Sequence, residues 1–257
     1  MPLLQYFRLV DIMARMGLRA DATRFLLGYI WWILEPLLWV GVFYVVFVTI
    51  MASREPDFLI FLATGKLVFV WFSKSVSQAS NSIVSGKGLI GKIDVPKTLF
   101  PMAVVQEGVY KQLTVFFVLG IILVSNGYAV TATWWSLVPL IIVNYVVIVA
   151  CAFVGACLVC LARDFAQLIS LAMLFLMFTS GIFWDVRELD AEKAKMVLDL
   201  NPIAFLLDAY RQIMMHSKVP DMLHLFTIGV GFGALLCAMV LLMRRRSQYL
   251  ALRALTA

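Results

Sequence analysis

Six long apolar stretches fill most of this chain, near Ile33–Ala52, Phe58–Ser77, Leu99–Val124, Trp134–Leu161, Phe165–Phe183 and Met222–Met243. A bilayer core takes roughly 20 apolar residues per helix. In lipid every backbone N–H and C=O must find a partner within the protein, a condition that helices meet segment by segment. With 63% hydrophobic and 14% charged residues, the chain lacks the polar surface that a soluble domain of its length needs. It reads as an all-α integral membrane protein with six transmembrane helices. The third and fourth stretches are long enough to be tilted or to run partly outside the lipid.

Lysine and arginine placement sets the expected orientation. Twelve of the 21 basic residues fall in the N-terminal segment, in alternate connections and in the tail: Arg8, Arg15, Arg19, Arg24, Lys87, Lys92, Lys97, Arg163, Arg244, Arg245, Arg246 and Arg253. The other connections carry more acidic than basic residues, among them Glu55, Asp57, Asp185, Glu188, Asp190 and Asp221. Both termini are therefore expected in the cytoplasm. The net charge of +6 follows from this topology and requires no nucleic-acid partner. The first 32 residues are amphipathic and arginine-bearing, unlike a cleaved signal peptide.

Leu3 to about Leu27 has the pattern of a helix lying on the membrane surface. Arg8, Asp11, Arg15 and Arg19 share one face, and Leu3, Phe7 and Val10 lie toward another. Such a helix can serve as a lipid anchor or as a dock for a cytoplasmic partner. Trp31 and Trp32 then stand at headgroup depth, and Glu35-Pro36 opens the first span. The connection after the second span runs through Gly86-Lys87-Gly88-Leu89-Ile90-Gly91-Lys92 to Pro96-Lys97. Its apolar middle suits a short helix or turn pressed against another protein better than a bare loop, although a hairpin packed on its own ends is the alternative.

The longest outer connection, Trp184–Asp221, predicts a helix over Asp190–Leu200 and a second one opened by Asn201 as N-cap with Pro202 at the first helical position. Ile203, Leu206, Leu207, Tyr210, Ile213 and Met214 recur at helical spacing, with Asp208, Arg211 and Gln212 as the polar remainder. At 1.5 Å per residue this second helix is roughly 20 Å long, too short to cross. The pair reads as a re-entrant outer gate.

Charges at bilayer depth are costly and should face protein or a cavity. Lys66 and Lys74 lie in the second span; Glu107 and Lys111, spaced i, i+4, lie in the third. Lys66 reads as cavity-lining, Lys74 as able to snorkel, and Glu107–Lys111 as an ion pair in a helix interface. Phe69, Trp71 and Phe72 cluster in the second span, as do Phe43, Tyr44 and Phe47 in the first. They are core, lipid-facing or a slide for pyranose faces. Cys151, Cys157, Cys160 and Cys237 read as buried small apolar residues, and His216 and His224 as surface residues. Gly65-Lys66 and Gly86-Lys87 lack the rest of a phosphate-binding loop, and no catalytic motif is present. An ATP-driven reading therefore needs a second polypeptide.

Several landmarks resemble one family. Arg24-Phe25-Leu26-Leu27-Gly28-Tyr29-Ile30-Trp31-Trp32 with Pro36, then Asn81-Ser82-Ile83-Val84 with Leu89-Ile90-x-Lys92, Pro96 and Pro101, then Arg163-Asp164-Phe165, then Leu200-Asn201-Pro202 occur in order along the chain. Together they are similar to the ABC-2 type permeases of polysaccharide export. One departure is Lys66-Leu67-Val68-Phe69-Val70-Trp71, where many relatives carry an apolar-Pro-Trp run.

The resemblance implies a single transmembrane domain over 1–257, with an interfacial gate helix (1–32), spans and a coupling segment at 83–98 (33–183), outer gate helices (184–221) and a last span with a basic tail (222–257). It implies a homodimer in the bacterial inner membrane, bound to two copies of an ATPase that holds ATP and Mg, with no cofactor in this chain. The cargo would be a lipid-linked polysaccharide such as O-antigen, capsule or teichoic acid. By this resemblance Arg15, Arg19, Lys87, Leu89, Ile90, Lys92, Pro96 and Lys97 face the ATPase. Trp31, Trp32, Glu35, Lys66, Phe69, Trp71, Phe72, Lys74, Glu107 and Lys111 belong to the channel or its gate. Trp184, Asn201, Pro202, Phe205 and Tyr210 belong to the periplasmic gate. The alternatives are a drug or lipid exporter of similar fold, a proton-coupled transporter using Glu35, Glu107 and Lys111, and a membrane-embedded glycan enzyme.

Overall fold

The computed structural model describes residues 2–24, 28–46 and 57–256. Phe25–Leu27, the expected span end at 47–52, and 53–56 of the first outer connection lie outside the described residues, as does the side chain of Arg24.

Among the described residues there is no strand. The helices are α1 (Leu3–Arg24), α2 (Trp31–Phe43), α3 (Phe58–Ser80), α4 (Ser82–Ser85), α5 (Lys87–Ile90), α6 (Leu99–Ser125), α7 (Leu137–Leu161), α8 (Asp164–Thr179), α9 (Ala191–Leu200), α10 (Pro202–Met214), α11 (Met222–Arg245) and α12 (Ser247–Thr256). Five helical segments are long and apolar enough to cross a membrane: 28–46, 58–80, 99–125, 132–161 and 222–245. The chain is a multi-pass helical membrane protein.

The fifth expected crossing departs from expectation. α8 has 16 residues and rises about 24 Å, ending four residues before the end of the stretch read from sequence. It stops because Thr179-Ser180-Gly181 turns the chain. Ser180 is fully buried and Gly181 takes φ +70°, a left-handed conformation suited to glycine. Phe183, read as the end of that span, lies beyond the turn.

α3 forms the centre, with α6, α7, α8 and α10 packed around it. Of its most apolar window, 78% is buried, against 6% for α11, which packs on α7 and leaves most of its surface for lipid. Two glycines set the spacing around α3. A Cβ at Gly108 of α6 would overlap the Ser75 hydroxyl, and one at Gly155 of α7 would overlap that of Ser80. Small residues let membrane helices approach closely where no hydrophobic effect drives them together. α1 lies against α6, and α12 packs on α7, α4 and α5.

The cysteines divide. Cys157 and Cys160 are buried, Cys151 is partly so, and Cys237 is exposed on α11, contrary to the expectation of four buried residues. α11 buries little of itself, so a small apolar residue there meets lipid.

Candidate functional site

A cavity of about 380 Å³ opens between α1, α2, α3 and α6. Helical spacing explains its walls. Leu67, Trp71, Lys74 and Gln78 follow one stripe of α3; Gly108, Lys111, Gln112 and Val115 follow one of α6; Trp31, Glu35 and Trp39 repeat every four residues on α2. Trp32, Pro36 and Asp21 complete the rim. Of the residues expected in a channel, Trp31, Trp32, Glu35, Trp71, Lys74 and Lys111 come together here.

The charges are cross-linked. Lys74 pairs with Glu35, joining α3 to α2. Lys111 Nζ lies 2.6 Å from Glu107 and 2.5 Å from Asp21, so one ammonium ties α6 to the end of α1. It also stands 5.8 Å from the centre of the Trp32 ring. Glu107 thus sits behind Lys111, off the wall. The Trp71 ring meets Phe116 edge-on at 6.0 Å, and Phe116 stacks on Tyr210 at the same distance.

Among the described residues, three buried side-chain nitrogens lack a hydrogen-bond partner: Trp71 Nε1, Gln112 Nε2 and Trp134 Nε1. Two of them belong to residues of the cavity wall. A buried donor without an acceptor costs about 1–3 kcal/mol, and both nitrogens lie inside the wall rather than facing the open space.

Lys66 does not line the cavity. It is 8% exposed, donates to Met177 Sδ at 2.9 Å and lies 5.0 Å from the Trp39 ring, tucked behind a residue that does. Phe69 and Phe72 are buried in the core about α3. Trp39, Gln78, Gln112 and Asp21 were missed from sequence. Trp39 repeats the spacing of Trp31 and Glu35, and Gln112 is a polar residue within a span next to Lys111, so both left a signal. Asp21 left none, because its partner is 90 residues away.

The expected coupling residues separate into two groups. Lys87, Leu89 and Lys92 are exposed on the α5 turn. Ile90 points inward, where the core also contains Leu250 and Ala254 of α12. Lys97 is 3% exposed; its Nζ donates to the Val95 carbonyl at 2.9 Å and pairs with Asp94 at 3.4 Å. Pro96 is half-buried. Arg15 and Arg19 are exposed on α1. Arg15 pairs with Asp11, whose carboxyl also accepts from Tyr110. The Tyr110 hydroxyl, with Arg15 adding, holds the Asp11 carboxyl below its ordinary range.

At the other end, Asn201 caps α10 as the sequence predicts. Its side chain accepts from the amides of Ile203 and Ala204 and donates to Ser180 Oγ at 3.0 Å. Trp184 Nε1 donates to the Phe178 carbonyl. Phe205 stacks on His224 at 4.3 Å, so His224 is a packed residue rather than a bland surface one. Tyr210 is wholly buried and accepts from Asn144 at 3.4 Å.

The polar face of α10 is buried too. Arg187 grips Asp208 through two nitrogens at 2.8 and 2.9 Å, which raises the arginine pKa further. Gln212 donates to Asp208. Arg211, 3% exposed, donates to the carbonyls of Phe61, Gly181 and Ile182 and lies 3.4 Å from the Phe61 ring. Arg187, Asp208 and Arg211 act as a clamp that no local pattern announces.

Residues 11–215 match the family described as ABC-2 type transporter. Among characterised relatives, an O-antigen export system permease protein, RfbA, of Klebsiella pneumoniae is 24% identical over 215 residues, covering 83% of this chain and 82% of its own. The protein of the same name from Myxococcus xanthus is 26% identical over 225 residues, 85% of each chain. The family match covers the cavity-forming helices, the α4 and α5 turns and the clamped α10 alike, and the chain belongs to the ABC-2 type transporter family.

Proposed function

We propose that this chain is the membrane permease subunit of an exporter that moves a lipid-linked polysaccharide of O-antigen or capsule type outward across the inner membrane. It works as a homodimer with two copies of a separate ATPase that bind ATP and Mg, and both its termini are cytoplasmic. The exposed Lys87, Leu89 and Lys92 offer that ATPase a basic and apolar contact. The chain itself makes and breaks no covalent bond.

The observation that carries this reading is the chemistry of the cavity wall. Four of the chain's seven tryptophans line one cavity of about 380 Å³, beside a carboxylate–ammonium pair and the amides of Gln78 and Gln112. Indole faces pack against the C–H faces of pyranose rings, while the exposed Gln78 amide and the Glu35–Lys74 pair take hydroxyl groups. A drug exporter needs the apolar surface but gains little from so many polar groups. The names of the relatives support the same reading.

The test is reconstitution of the chain with its ATPase and a lipid-linked glycan in proteoliposomes. Export is expected to require ATP and both proteins, and Trp71→Ala is expected to lower it at least tenfold while the protein remains folded. Transport by the chain alone, or undiminished export by the folded variant, would overturn the proposal.

A further inference from the structure

A second and larger cavity, about 940 Å³, lies away from the tryptophan-lined one, between α1, the 94–98 segment, α6, α7 and α11. Its two ends differ in chemistry. One wall is built by Met102, Val149, Phe153, Leu236 and Val240, from three long membrane helices. The mouth carries Arg244, Lys97, Tyr6 and Thr98, with Asp94 as its carboxylate.

From this geometry we infer a binding site for an anionic diacyl phospholipid of the cytoplasmic leaflet, its headgroup phosphate between Arg244 and Lys97 and its acyl chains along α7 and α11. The inference rests on the orientation proposed above and not on the cargo.

Three features fit a lipid rather than a soluble guest. α11 is almost unburied, so the apolar wall continues into surface that meets acyl chains in a membrane. Arg244 stands in the last turn of α11 and Lys97 in the 94–98 segment, on the same cavity and at the cytoplasmic level of the proposed orientation. Basic pockets between helices at this level suit anionic headgroups. The polar groups also have capacity to spare. The Lys97 ammonium has three hydrogens and makes two contacts, to Val95 and Asp94. Tyr6 donates to Thr98 Oγ1 at 3.2 Å, which leaves the threonine hydroxyl proton for another acceptor. Arg244 is exposed, with its guanidinium free to turn inward. Asp94 faces these cations, but its side chain is 99% exposed and well hydrated, so the mouth keeps a positive balance.

Native mass spectrometry of the full chain with equimolar phosphatidylglycerol and phosphatidylcholine tests the site. The chain is expected to retain phosphatidylglycerol preferentially. Each cation at a headgroup contributes about a fivefold preference, so Arg244→Gln and Lys97→Met should each cut the preference by about that factor. Arg245→Gln, one residue on and outside the cavity, should leave it intact. Val240→Trp, which fills the groove and keeps the charges, should lower retention of both lipids. Equal retention by the parent chain would overturn the inference, as would an unchanged preference in Arg244→Gln or an equal loss in Arg245→Gln. Displacement of phosphatidylglycerol by a polyprenyl diphosphate would also overturn it, by assigning the pocket to a carrier lipid.

Discussion

Arg211 holds two distant parts of the chain together chiefly through backbone carbonyls, which makes its contribution calculable. Its guanidinium donates to Gly181 at 2.6 Å, to Ile182 at 3.3 Å, and to Phe61 at 3.2 and 3.3 Å. A charge-assisted bond contributes about 1.5–3 kcal/mol net. Taking the shortest at full strength and the longer contacts at a fraction gives about 3–5 kcal/mol for Arg211→Met. Arg211→Lys keeps the charge but concentrates its donors at one point, so it should recover at most half. Gly65 supplies a cross-check, because a Cβ there would overlap the guanidinium. Gly65→Ala should cost about 1–3 kcal/mol in the parent and much less in Arg211→Met, where the space is released. Denaturant unfolding of the purified chain in detergent, read by tryptophan fluorescence, measures the parent and all four variants. The reasoning fails if Arg211→Met unfolds at the parent's midpoint, or if Gly65→Ala costs the same in both backgrounds.

Asp11 has a lowered folded pKa, so its contribution is complete above the ordinary carboxylate range and is lost as pH falls through the folded value. Acidification should therefore release α1 from Tyr110; hydrogen-exchange protection of the α1 amides, corrected for intrinsic rates, should fall at low pH in the parent and be already low in Asp11→Asn at neutral pH. Gly155→Val should cost about 1–3 kcal/mol by forcing α7 away from Ser80 of α3, seen as a lowered unfolding midpoint; an unchanged midpoint would show that the contact is slack. Lys66 supports the Trp39 ring from behind, so Lys66→Ala should lower export of acidic and neutral glycans alike in the reconstituted system; an unaltered rate would remove that support from its role.

Local periodicity carried the helices and the cap at Asn201, because both depend on residues within a few positions of each other. It failed where long-range partners decide. Asp208, Arg211 and Gln212 read as the polar remainder of an amphipathic helix, yet all three are buried, since Arg187 and the Phe61 carbonyl satisfy them from 21 and 150 residues away. Glu107–Lys111 was visible as a pair at i, i+4, while Asp21, which makes it a triad, was not. The end of the fifth crossing was overread because Thr179-Ser180-Gly181 is small enough to pass within an apolar stretch, although its glycine turns the chain. The cavity was half legible: its aromatic and charged residues stood out individually, and only the packing of α2 and α6 on α3 selects which of them share a wall.

α3 begins at the carbonyl that Arg211 grips and runs directly into the α4 and α5 turns. Its 23 residues make a rod of about 35 Å, and the glycines of α6 and α7 seat it without slack. A rod so held cannot absorb a displacement by bending. Travel imposed at the Ser80 end of α3 would arrive at Phe61 with little loss, where it either strains the guanidinium contacts or breaks them together. The subunit would then behave as a push-rod with a snap latch at its far end, giving an all-or-none response to a graded force.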